Sequence, residues 1–218
     1  MINRGFCTAL IVVLLLGLSV SCKFRLSEEE PVISKTGPGP LTAKQAYPIA
    51  KARAREWQAN AYLGEVSMVI SGTEIDDGPR KIVYYFIADH AFGPLSWWDS
   101  VFITVDAHEG KVIGFDEYRW ATSTQGKFGR FDIESAVLDS SDALRMAENL
   151  GGKAYREKYP NAQVRISGSH GLVFGEMFWG VGYFRPPEVR GDELGFGIEA
   201  KTGEVRGDAY LPPSLPSK

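Results

Sequence analysis

Apolar residues along the chain follow three patterns, and each predicts a different element. Residues Ala9 to Leu18 form an unbroken apolar run, apart from Gly17, behind a start that carries Arg4. The run has no polar face for an amphipathic helix and is shorter than the ~20 residues of a comfortable membrane span. With Ser19 and Ser21 after it, it reads as a secretory leader over residues 1–21. Further on, the period becomes helical. Ala46, Ile49, Ala50, Ala54 and Trp57 share one face, and Lys51, Arg53, Arg55 and Glu56 occupy much of the rest. Thr42 followed by Gln45 is a capping box, which predicts the start of this helix. Pro48 predicts a kink or a delayed start.

The pattern then alternates as strands do. Glu65–Ile70, Lys81–Ala88, Trp97–Asp106 and Lys111–Tyr118 are rich in branched and aromatic residues, with turn chemistry at Thr73–Pro79 and His108–Gly110. The same order recurs. Ser140-Ser141-Asp142 can cap a helix that carries Ala143, Leu144, Ala147, Leu150 and Ala154, with Gly151-Gly152 weakening its middle. Strand-like segments come next at Ala162–Ser167, Met177–Phe184 and Leu194–Glu199, and Thr202-Gly203 turns into Glu204-Val205-Arg206. The expected architecture is α+β: two tandem units over 41–120 and 138–210, each a helix packed on an antiparallel sheet. Residues 23–40, with Glu28-Glu29-Glu30-Pro31 and Gly37-Pro38-Gly39-Pro40, read as a linker, and 211–218 as a loose tail.

The two halves echo each other most closely at Asp106-Ala-His-Glu-Gly-Lys-Val112 and Glu199-Ala-Lys-Thr-Gly-Glu-Val205, at a constant offset of 93. Gly110 and Gly203 both sit where a tight hairpin wants positive φ. This pattern resembles the PepSY domain, a small cystatin-like fold in which a helix lies on an antiparallel sheet. The resemblance implies a non-enzymatic binding role, with restraint of a peptidase as the role usually proposed for such domains.

The leader ends Leu18-Ser19-Val20-Ser21-Cys22, which resembles the lipobox of bacterial lipoproteins, although Ser19 stands where that motif prefers Leu. The resemblance implies acylation of Cys22 and tethering to a membrane, facing the periplasm from the outer membrane if the host has one. Lys23 after the anchor fits that delivery. Ordinary cleavage nearby and an uncleaved anchor helix are the alternatives. Cleavage before Cys22 would remove Cys7, so neither cysteine would remain as a thiol. The formal net charge is −3, and loss of Arg4 makes it more negative, which speaks against nucleic acid as a partner.

Candidate chemistry is sparse. Asp106 and His108 are two apart and could offer a metal an oxygen and a nitrogen, but no second histidine stands at metal-site spacing, and the hairpin accounts for the stretch. Asp89-His90 lacks a recognisable nucleophile, and a loop histidine is the expected reading. Gly168-Ser169-His170-Gly171 lacks the strand–turn–helix setting of a nucleophile elbow and is expected to be a hairpin loop. No cofactor signature is present. The aromatics say more. Trp97-Trp98 and Phe178-Trp179 place large rings on both faces of a strand. The second face is expected to be covered by packing between the two units, or else left for a partner. Trp97, Trp98, Arg185 and Arg190, the arginines flanking a Pro-rich loop at 185–192, are the candidate partner-binding residues. The expected function is that of an exported, lipid-anchored binding or regulatory module for an envelope protein or peptidase. An envelope hydrolase and a passive structural lipoprotein are the alternatives.

Overall fold

The computed structural model describes residues 39–92, 95–120, 129–171, 176–185 and 193–208, with the backbone alone at 91–92, 95–97, 119–120 and 207–208. Helix α1, Ala43–Trp57, begins at the predicted box: Thr42 Oγ1 accepts from the Gln45 amide at 3.3 Å, and Gln45 Oε1 accepts from the Thr42 amide at 3.0 Å. Ala43, Ala46, Tyr47, Ile49, Ala50 and Ala54 are buried. Pro48 neither delays nor ends the helix. It is exposed, so the carbonyl that loses a backbone partner lies on the side open to water.

The sheet has eight strands: β1 Tyr62–Ser71, β2 Lys81–Phe92, β3 Leu95–Asp106, β4 Lys111–Trp120, β5 Gln163–His170, β6 Met177–Phe184, β7 Leu194–Glu199 and β8 Val205–Asp208. A short 3-10 turn, Ile75–Asp77, joins β1 to β2. All pairings are antiparallel, in one sheet of order β4-β3-β2-β1-β5-β6-β7-β8. The chain is thus α+β, with helices on one face of a continuous sheet. The strand order has an approximate two-fold character about the β1–β5 pairing, where Ser67 lies opposite Ser167. Val66 opposite Tyr84 and Tyr84 opposite Ile103 correspond to Ile166 opposite Val181 and Val181 opposite Phe196. The two halves therefore join edge to edge. The expectation that they cover each other's second sheet face does not hold, because β1 and β5 each had an unpaired backbone edge to satisfy.

The second helical stretch departs from the predicted stripe. Its N-cap is Asp139, one residue before the expected cap, and Asp142 completes the box. Helix α2 runs Ser140–Ala147, and after a kink within Glu148–Gly152 a second helix, α3, runs Lys153–Lys158. Gly151 adopts φ +139°, open to glycine. The kink breaks the stripe. Leu150 ends 49% exposed and Ala154 is exposed, while Gly152 and Tyr155 turn toward the sheet.

The helix-side face of the sheet carries the core. Val66, Met68 and Ile70 on β1, Tyr84 and Phe86 on β2, Ile103 on β3, Ile166 on β5, and Trp179, Val181 and Tyr183 on β6 are all buried. Each such side chain contributes about 1.5–3 kcal/mol. Phe131, Ile133 and Ala136, in a segment without periodic pattern, complete it. The Phe131 amide donates to the Leu63 carbonyl at 2.9 Å, and its ring meets Trp179 edge-on at 5.3 Å between centroids. Gly168 makes room for both. Residues 168–170 accordingly lie within β5 and not in the expected hairpin loop, because the missing side chain is replaced by those rings.

A Cβ on Gly168 would lie 2.7 Å from two Phe131 ring atoms and 2.8 Å from Trp179 Cζ3. Gly168→Ala is therefore expected to destabilise the protein by about 2 kcal/mol, read as a lowered urea midpoint at unchanged slope.

Candidate binding cleft

The start of both helices is set by one carboxylate. Asp139 Oδ1 accepts from its neighbour Ser140's amide at 2.6 Å and from the Lys44 amide of α1 at 3.1 Å, while Oδ2 accepts from Thr42 Oγ1. In return Ser140 Oγ accepts from the Ala43 amide at 3.0 Å. Two helix N-termini, each with unsatisfied amides and a partial positive charge, thus share one anion. Tyr84 Oη, fully buried below, donates to the Ala43 carbonyl at 2.6 Å. Burial, and secondarily the Asp139 charge, hold that phenol well above its ordinary pKa.

Beside this junction a cleft of about 450 Å³ opens over the β1–β5 seam. Met68, Ile70 and Ile166 form its floor. Ser141, Leu144, Arg145, Glu148 and Arg156 line one side, and Leu41, Ile75, Asp76 and Pro79 the other. Gly78, at φ +70°, lies against Pro40, where a Cβ would come within 2.5 Å of the proline ring, so the incoming chain is pinned to the cleft rim.

An ion pair forms the inner wall. Arg156 Nε reaches both Glu148 oxygens at 3.1 Å, Nη2 also contacts Glu148, and Nη1 donates to the Gly72 carbonyl at 2.9 Å. Tyr183 Oη donates to Glu148 Oε1 at 2.8 Å. The hydrogen bond to Glu148 raises the Arg156 pKa, and burial followed by the same carboxylate raises that of Tyr183. Gly152 permits the approach: a Cβ there would lie 2.1 Å from Tyr183 Oη.

Chemically the cleft is an apolar trough with a charged rim. Among the described residues that line it there is no histidine or cysteine, and Ser140 Oγ is engaged with Ala43 and Asp139. The Glu65 carboxyl is raised by desolvation, offset by Arg165, but by strand alternation it points to the opposite sheet face from Met68 and Ile70.

The residues expected from sequence to bind a partner are not gathered at this cleft. The Trp97 backbone pairs with His90, and Trp98 lies opposite Asp89 and Trp120. Arg185 comes directly after β6, a strand that is separated from β1 by β5 in the sheet order, and its guanidinium stacks on Tyr159 at 3.7 Å while donating to its hydroxyl. Cys22 and Arg190 lie outside the described residues. Trp179 is wholly buried and donates to the Leu138 carbonyl at 3.1 Å, and Phe178 is half-buried. His90, expected in a loop, lies in β2 and faces Asp99 across the strands at 3.1 Å, not Asp89. Asp106 Oδ1 accepts from the amides of His108 and Glu109 at 2.8 Å, an ordinary turn role. Among the described residues no three His, Cys, Asp or Glu side chains cluster as metal ligands would.

Sequence reasoning missed Asp139, Glu148 and Arg156. Glu148 and Arg156 are eight apart, a spacing that misses one helical face by most of a quarter turn. The kink at Gly151 brings them together. Comparisons with family models, curated proteins and solved structures found no match.

Asp139→Ala removes both caps and is expected to cost about 3 kcal/mol in chemical denaturation, whereas Asp139→Asn, which keeps an acceptor, is expected to cost about 1 kcal/mol. Arg156→Ala strands Glu148 and is expected to cost about 3 kcal/mol, against about 1 kcal/mol for Tyr183→Phe. Equal losses for the last two in urea melts would show that the ion pair is not what holds this wall.

Proposed function

We propose that this chain is an exported lipoprotein, acylated at Cys22, whose folded part is a non-enzymatic binding and regulatory module for an envelope protein, in the first instance a peptidase. In this reading the folded part consists of two PepSY-like, cystatin-like units sharing one sheet. The repeated order of helix and four strands supports it, as do the matching hairpins with Gly110 at φ +68° and Gly203 at φ +78°. The leader and Leu18–Cys22 support the anchor. Several acyl chains on one cysteine, at about 0.8 kcal/mol per buried methylene, hold a protein firmly at a membrane.

The observation that carries the binding role is the cleft. It has an apolar floor of Met68, Ile70 and Ile166, with cationic and anionic side chains around it. Apolar concavities with a few charged groups are the usual form of a recognition site.

The test is capture in intact cells. A photo-crosslinking residue at Ser141, on the cleft wall, and another at Trp98 are introduced into the tagged full-length chain, with Cys22→Ser as the anchoring control. Reproducible capture of one envelope peptidase from Ser141, weakened in Cys22→Ser, is the expected result. Capture confined to abundant lipoproteins would overturn the regulatory reading.

A further inference from the structure

The chain enters α1 and α2 by the same route. Leu41 and Leu138 stand one residue before the caps Thr42 and Asp139, and their amides donate to the carbonyls of Ala107 and Ala200 at 2.7 Å and 3.0 Å. A Cβ on Gly110 would lie 3.4 Å from Leu41 Cδ1, and one on Gly203 would lie 3.4 Å from Leu138 Cδ1. Before Leu138 the route is a non-helical segment, 129–136, that runs along α1. Lys44 Nζ donates to the Ala136 carbonyl at 2.6 Å, and Lys51 Nζ meets Glu134 at 2.6 Å. The segment ends over β5, where the Phe131 ring takes the space above Gly168 and Gly129 packs on the His170 ring.

Two independent alignments carry this arrangement onto the cleft. Matching the caps sets residues 32–39 on 129–136, and Ser141, Leu144 and Glu148 of α2 on Lys44, Tyr47 and Lys51 of α1. The β1–β5 pairing, with Ser67 opposite Ser167, sets Met68 and Ile70 on Gly168 and His170. Those α2 and β1 residues all line the cleft, and so does Gly39, the first described residue of the chain before α1. The alignments also agree on volume. Over β5 the segment brings a ring, Phe131, to a glycine of the strand, whereas at the matching place over β1 the segment has Ser34 and the strand has Met68. Large against small is kept with the two sides exchanged, which is the kind of change a core of fixed density accepts.

We infer that the chain's own residues 32–38 are the resident occupant of the cleft, with Val32 against Ile70 and Ser34 over Met68. The inference goes beyond the binding-module reading and does not rest on it. Joined to that reading it adds a control built into the fold. A partner enters the cleft only in exchange for this segment, so its apparent affinity falls by the fraction of molecules in which the segment is displaced.

The test is a double-mutant cycle in the full-length chain in detergent, read as melting temperature. Met68→Ala is expected to lower it by about 10 °C, and Ser34→Phe, which rebuilds the large-over-small contact of Phe131 and Gly168, is expected to return about half of that loss. With Met68 in place, Ser34→Phe overfills the contact and is expected to lower the melting temperature. A Ser34→Phe shift of the same sign and size in both backgrounds would overturn the inference. A photo-crosslinking residue at exposed Ser141 gives a second readout that leaves the core untouched. In the purified chain, crosslinks within one molecule to residues 32–38 are expected, at a yield independent of protein concentration. Crosslinks to that segment of a second copy would overturn the inference, as would a yield no higher than from the same residue at exposed Ile113, on edge strand β4. Neither readout involves a peptidase. Failed capture in cells would therefore strike the binding reading alone, and loss of the coupling between positions 34 and 68 would strike this inference alone.

Discussion

A single carboxylate between two helix starts is the contact on which the rest of the arrangement depends. Asp139 caps its own helix and also binds α1 through Thr42 and Lys44, while Ser140 returns a bond to Ala43. Two positive helix ends placed together would repel, and buried amides without acceptors would each be costly. One anion removes both penalties, provided that the helices meet at a fixed distance. That distance sets where α2 stands over β1 and β5, and so leaves the width of the cleft beside it.

The irregularities of the second helical stretch arise from the same constraint. With α2 tied at its start, Glu148 and Arg156 reach one another and the Gly72 carbonyl across the kink at Gly151. Gly151 supplies the unusual backbone, and Gly152 leaves space for the Tyr183 hydroxyl. Helical stability is given up there, since two glycines weaken any helix by about 1 kcal/mol each. The return is a wall of one ion pair and one phenol whose polar atoms satisfy each other.

The difference between the two sides of the seam is a matter of volume. Gly168 and Met68 occupy matching places, yet the first admits an aromatic ring from the chain and the second supplies its own side chain. A sheet whose helices cover one face needs such fillers wherever two helices diverge, because cores tolerate few voids. On one flank the segment around Phe131 and Ile133 is that filler. On the other, Met68, Ile70 and Ile166 floor the trough.

Much of the architecture was legible in the order of residues. The capping box at Thr42, the stripe from Ala46 to Ala54, the alternating runs of the eight strands and the positive-φ glycines at 110 and 203 are local matters. Each depends on neighbours within a few positions, so periodicity and turn chemistry suffice to find it. What only the tertiary structure decided involves partners far apart in the chain. Edge-to-edge joining of β1 and β5 is a choice between faces and edges that no local pattern encodes. Phe131 and Ile133 have no period, because a segment lying across a core needs only one or two anchors. Asp139 looks like any helix cap until a second helix arrives 97 residues away in sequence to share it. The cleft arises from these long-range decisions, since its wall is α2, its floor β1 and β5, and its far side the β1–β2 connection and the chain before α1.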